Sequence, residues 1–133
     1  MSMNPSYIPG SLHNIELADG NVTGFSFVCR LKNPYNTLLY SIHRMAVFVD
    51  GVEVTSSHLR VTYNGATVAV ANLPHTNWIG LRGDPIEIEA GLPGGLAKGS
   101  HEVRLEVLFG GGFSCGMATT PVVLCQFTAE TSG

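Results

Sequence analysis

Ser100-His101-Glu102-Val103-Arg104-Leu105-Glu106-Val107-Leu108-Phe109 is the stretch that decides the fold. Val103, Leu105, Val107 and Phe109 alternate with Glu102, Arg104 and Glu106. A period of two places apolar side chains on one face of a β-strand and charged ones on the other. Such a strand needs a second apolar layer over one face and water over the other.

The same alternation recurs on either side. Pro85 to Ala90 sets Ile86 and Ile88 inward against Glu87 and Glu89. Gly24 to Leu31 aligns Phe25, Phe27, Cys29 and Leu31. Val47-Phe48-Val49 and Val52-Glu53-Val54 flank Asp50-Gly51, and a pair of this type between β-branched runs is a strong hairpin signal. His58 to Tyr63 turns at Asn64-Gly65 and returns through Ala66 to Val70. A last strand is predicted from Pro121 to Thr128. No segment carries a sustained 3.6-residue period, and 16 Gly with 7 Pro break the chain too often for long helices.

These seven or eight short antiparallel strands predict an all-β fold, a single β-sandwich of immunoglobulin-like or jelly-roll-like type. One domain is expected over residues 1–133, with the core at about 13–128 and residues 1–12 and 129–133 as loose ends. Two long connections, Lys32 to Tyr40 and Leu73 to Asp84, are the expected functional loops.

Composition narrows the function. Charged residues make up 13% of the 133-residue chain, about half the usual share, while hydrophobic residues make up 44%. So little charge suggests a surface covered by a partner, because wide bare apolar patches aggregate. A compact sandwich faced with Ser, Thr, Asn and Gly is the alternative. Net charge is −3 with seven scattered Lys and Arg, so no basic cluster marks nucleic acid or an anionic membrane as partner. No apolar run approaches a membrane span, and the polar start lacks a signal-peptide layout. Cys29, Cys115 and Cys125, odd in number and far apart in sequence, suggest thiols in a reducing compartment. A cytoplasmic location is expected.

The search for chemistry is largely negative. His13, His43, His58, His75 and His101 have no chelating spacing, and no Cys or His stands beside Cys115 or Cys125, so no metal site is expected. Ser114-Cys115-Gly116 has no marked base. Gly110-Gly111-Gly112 lacks the Lys and helix of a phosphate loop and reads as a bend or bulge. The outward Glu87, Glu89, Glu102 and Glu106 read as a solvated face, and Asp50 is explained by its turn. No catalytic residue is expected in this chain. Pro74-His75-Thr76-Asn77-Trp78 is more informative, since it holds the single Trp in a long connection. Such a Trp serves as an interface anchor, as core, or as a ligand platform, and Tyr35 and Tyr40 in the other connection are its only plausible aromatic company.

Two stretches carry a resemblance. One runs from Gly24-Phe25-Ser26-Phe27 through Pro34-Tyr35-Asn36-Thr37-Leu38-Leu39-Tyr40-Ser41-Ile42 to Val49-Asp50-Gly51-Val52-Glu53-Val54. The other is Gly94-Gly95-Leu96-Ala97-Lys98-Gly99-Ser100-His101-Glu102-Val103, with Trp78 and Pro85-Ile86-Glu87-Ile88 between them. Over roughly residues 15–110 the chain resembles the beta (small) subunit of bacterial C-glycoside deglycosidases. His43-Arg44 departs from the pattern, where acidic residues would be expected, as does the glycine-rich stretch after Phe109.

The resemblance implies a hetero-oligomer with a TIM-barrel-like alpha subunit that holds a divalent metal, manganese or magnesium, and the acid–base residues. No cofactor is implied in this chain itself. The implied substrate is a 3-keto C-glycoside, and the implied reaction is a β-elimination that makes the complex a carbon–carbon lyase. The surface expected to meet the subunit interface or the substrate comprises Tyr35, Asn36 and Leu38 in one connection and His75, Trp78 and Arg82 in the other. A stand-alone carbohydrate-binding sandwich is the alternative function, and a ligand-free structural domain is a third.

Overall fold

The computed structural model describes residues 7–31, 37–54, 59–109 and 122–131. Its strands are β1 (His13–Glu16), β2 (Val22–Arg30), β3 (Thr37–Leu38), β4 (Ile42–Val49), β5 (Val52–Val54), β6 (Leu59–Tyr63), β7 (Ala66–Ala69), β8 (Ile79–Gly80), β9 (Pro85–Gly91), β10 (Gly99–Phe109) and β11 (Val122–Thr131). They form a five-stranded sheet in the order β1-β2-β9-β6-β7 and a four-stranded sheet in the order β11-β10-β4-β5. β3 and β8 make a small third sheet. The two large sheets pack as the expected sandwich.

The alternation fills the space between them. Phe25, Phe27 and Cys29 of β2, Ile86 and Ile88 of β9, and Leu59 and Val61 of β6 are buried from one sheet. Met45 and Val47 of β4, Val103, Leu105 and Val107 of β10, and Cys125 and Phe127 of β11 are buried from the other. Both tight hairpins have the expected backbone: φ is positive at Asp50 and Gly51, and again at Asn64 and Gly65. A type I′ turn requires this at both central positions.

The chain ends depart from expectation. Tyr7 stacks on Phe127 with ring centroids 3.7 Å apart, and its hydroxyl accepts the N–H of Leu12 at 3.2 Å. The N–H of Ile8 reaches the Val28 carbonyl at 3.0 Å. Residues 7–12 therefore close a seam of the sandwich rather than hanging loose, because Tyr7 and Leu12 supply apolar surface the core can use. At the other end β11 runs on to the buried Thr131, since β10 offers partners as far as Gly99.

Two of the cysteines are free thiols, as their number and spacing suggest. Cys29 and Cys125, distant in sequence, face each other across the sandwich as buried thiols in hydrogen-bond contact. That contact, followed by burial, raises the Cys29 thiol well above its ordinary value and keeps it from ionising. The segments holding Cys115 and the three consecutive glycines, and His58, lie outside the described residues.

Candidate functional site

The two long connections do not remain loops; they pair with each other. Thr37 and Leu38 lie opposite Gly80 and Ile79, and the Tyr40 N–H donates to the Trp78 carbonyl at 3.2 Å. Short 3₁₀ turns, Leu39–Ser41 and Val70–His75, lead into this sheet. Leu39 and Leu73 anchor them, both fully buried. Gly80 is the close-approach point, because a side chain there would run into Leu31. With Gly80 turned inward, Ile79 and Leu81 are turned outward.

A polar clamp fixes this end of the molecule. The Tyr63 hydroxyl donates to the Asp84 carboxylate at 2.6 Å and also lies 3.2 Å from the Ile79 carbonyl oxygen. Asp84 Oδ2 also accepts the Leu81 N–H at 3.0 Å. That carboxylate raises the Tyr63 phenol above its ordinary value and keeps it protonated as a donor. The indole of Trp78 leans on the Tyr63 ring at 5.8 Å and 54°. Thr76 caps the preceding turn by donating from its hydroxyl to the Leu73 carbonyl at 2.7 Å.

Of the residues expected here, Trp78 is half-buried against Tyr63, while His75 and Arg82 are exposed on the same connection. The backbone of Leu38 lies in β3, opposite Ile79. Tyr35 and Asn36 lie outside the described residues. Beside them Tyr40, the aromatic of the other connection, is 39% exposed, and the structure adds Ile79 and Leu81, 44% and 54% exposed. So large an apolar exposure around a pinned Trp is suited to contact with another surface. Sequence reading missed Tyr63 and Asp84, because a Tyr at the end of a strand and an Asp in a loop carry no local signature of pairing across 21 residues.

A second polar cluster lies at the Asp50-Gly51 hairpin. Asp50 Oδ1 accepts the Glu102 N–H at 2.9 Å, and Oδ2 lies 2.7 Å from His101 Nδ1. His101 Nε2 lies 2.7 Å from the Ala97 carbonyl oxygen. Asp50 thus does more than turn the chain: it ties the hairpin to β10. Among the described residues no three His, Cys, Asp or Glu side chains converge as metal ligands would.

The described part of the molecule defines an antiparallel β-sandwich with one braced, apolar, aromatic end suited to meeting another surface. The chain belongs to the C-glycoside deglycosidase beta subunit family, whose model matches residues 4–111. It is also 28% identical over 99 residues to a protein of Eubacterium cellulosolvens named C-glycoside deglycosidase beta subunit, a match covering 72% of this chain and 66% of that protein. The chain thus spans slightly under two thirds of that relative's length.

Proposed function

We propose that this chain is the small, non-metal-binding and non-catalytic subunit of a cytoplasmic complex that cleaves the carbon–carbon glycosidic bond of 3-keto C-glycosides. Membership of the beta-subunit family carries this reading, and the braced apolar end supports it. A TIM-barrel-like alpha subunit supplies the acid–base residues and holds a divalent cation, manganese or magnesium.

The reaction class follows from the bond. A C-glycoside has no bridging oxygen to protonate, so hydrolysis with two carboxylates does not apply. A ketone at C3 acidifies the C2 proton. Removal of that proton by a base, with protonation of the aromatic aglycone as it departs, is a β-elimination that leaves an unsaturated anhydro-ketose. A divalent cation held by the alpha subunit would supply Lewis-acid chemistry there.

This chain's part is to dock and to exclude water. Tyr35, Asn36, Leu38, His75, Trp78 and Arg82, joined by Tyr40, Ile79 and Leu81, form the surface that meets the alpha subunit near the mouth of its barrel. Trp78 is the anchor, pre-positioned by Tyr63, and an anchor held in its bound position loses little freedom on association. Closing a wall over the site removes water from a reaction that develops charge. Co-expression with a barrel subunit encoded nearby tests the reading: the two chains should co-purify at fixed stoichiometry. A monodisperse monomer that captures no barrel subunit would contradict it.

A further inference from the structure

The outer face of the five-stranded sheet carries a groove on the opposite layer from the β4–β10 sheet. Its origin lies in the register. Ile15 of β1, Gly24 of β2 and Gly91 of β9 lie side by side across three strands, so two adjacent positions of one row have no side chain. Gly24 is needed for the close approach of β2 to β9, since a Cβ there would run into the Ala90 carbonyl oxygen. Gly91 lines the groove, so its floor there is backbone without a side chain. The open volume over it is about 780 Å³, within the usual range for small-molecule sites.

The next row supplies polar groups. Glu89 and Arg60 are register partners on β9 and β6, while Ser26 beside them on β2 is buried and bonded to His13. Glu89 and Arg60 are opposite charges in directly facing positions, yet no ion pair joins them among the described residues. Their hydrogen-bonding capacity is turned to the groove, where Asn72 and Thr67 stand at the rim and Leu17, 49% exposed, provides an apolar wall.

From this we infer that the groove binds a neutral sugar ring. The guanidinium and carboxylate cancel in charge, so neither an anion nor a cation is favoured. Arg60 only donates, Glu89 only accepts, and Asn72 does both, which matches the vicinal hydroxyls of a pyranose, while Thr67 is already bonded to Thr62 at 2.7 Å. The apolar wall and the backbone floor receive its C–H face. The site is independent of the subunit assignment proposed above, because it lies on another face and involves none of the same residues.

Amide NMR shifts of the full chain, titrated with methyl β-glucoside, test the inference. Saturable shifts are expected at Thr23, Arg60, Thr67 and Glu89. Arg60→Met and Glu89→Gln, both replacing side chains turned to the groove, should each weaken binding at least about tenfold while leaving the rest of the spectrum in place. Absence of saturable shifts overturns the inference, as does equal binding by both variants. Saturation of the same amides by sodium sulfate would overturn the neutral-sugar assignment in favour of an anion site at Arg60.

Discussion

His101 Nδ1 lies 2.7 Å from Asp50 Oδ2, while its other ring nitrogen lies 2.7 Å from the Ala97 carbonyl oxygen. Both oxygens can only accept, so the ring satisfies both contacts only as the imidazolium. The Ala97 carbonyl and the Asp50 carboxylate raise the His101 pKa above its ordinary 6.5. The Glu102 N–H and then His101 lower that of Asp50 below its ordinary 3.8. The clip binds the β4–β5 hairpin, the loop before β10 and β10 itself.

The pH dependence follows from these directions. The share due to His101 is complete below 6.5 and is lost as pH rises through the raised folded-state value. The share due to Asp50 is complete above 3.8 and is lost as pH falls through the lowered value. Thermal unfolding should therefore show a stability plateau between these limits and a decline on the alkaline side. His101→Ala should flatten that alkaline decline, and an unchanged slope in the variant would count against the clip.

Core packing gives the largest expected loss. Phe27 is fully buried and meets Phe127 edge-on at 5.4 Å, with Tyr7 stacked beyond it. Phe27→Ala should cost about 3–5 kcal/mol in denaturant unfolding. A loss under about 1 kcal/mol would mean that the two sheets do not pack through this residue.

Tyr63→Phe isolates the clamp beneath Trp78. It keeps the ring against the indole and removes the hydroxyl from Asp84. A stability loss of about 1–2 kcal/mol is expected, with a change in Trp78 fluorescence as the connection loosens. Unaltered fluorescence would show that Asp84 and the Leu81 N–H hold the connection without Tyr63.

Much of the sandwich was legible because burial on one side of a sheet writes a period of two into sequence. Val103, Leu105 and Val107, or Ile86 and Ile88, could be assigned to the core from spacing alone. The hairpins at Asp50-Gly51 and Asn64-Gly65 were legible for a backbone reason. The β3–β8 sheet was not: two-residue strands are too short for periodicity, and their pairing depends on Gly80 fitting beneath Leu31 and Leu39. Trp78 stood out in the sequence as anchor, core or ligand platform, but its supports were invisible, because Tyr63 and Asp84 meet only after the chain folds back. The outer groove was equally hidden, since it arises from the register of Gly24 with Gly91.

The outward pair Ile79 and Leu81 tests the docking surface with little risk to the fold. Leu81→Asp places a charge where over half the residue is exposed, so the isolated chain should keep its stability to within about 0.5 kcal/mol. Assembly with the alpha subunit should weaken at least about tenfold, as expected for a desolvated charge in an interface. Normal assembly by this variant would move the interface elsewhere on the molecule.

Reconstitution measures the central claim most directly. The purified chain, the proposed alpha subunit supplied with manganese or magnesium, and an equimolar mixture would each be given a 3-keto C-glycoside, with release of the aglycone followed by chromatography. Release at full rate only from the mixture, accompanied by a hetero-oligomeric native mass, is the expected result. Equal release by the alpha subunit alone, or a mixture that stays as separate species, would contradict the account.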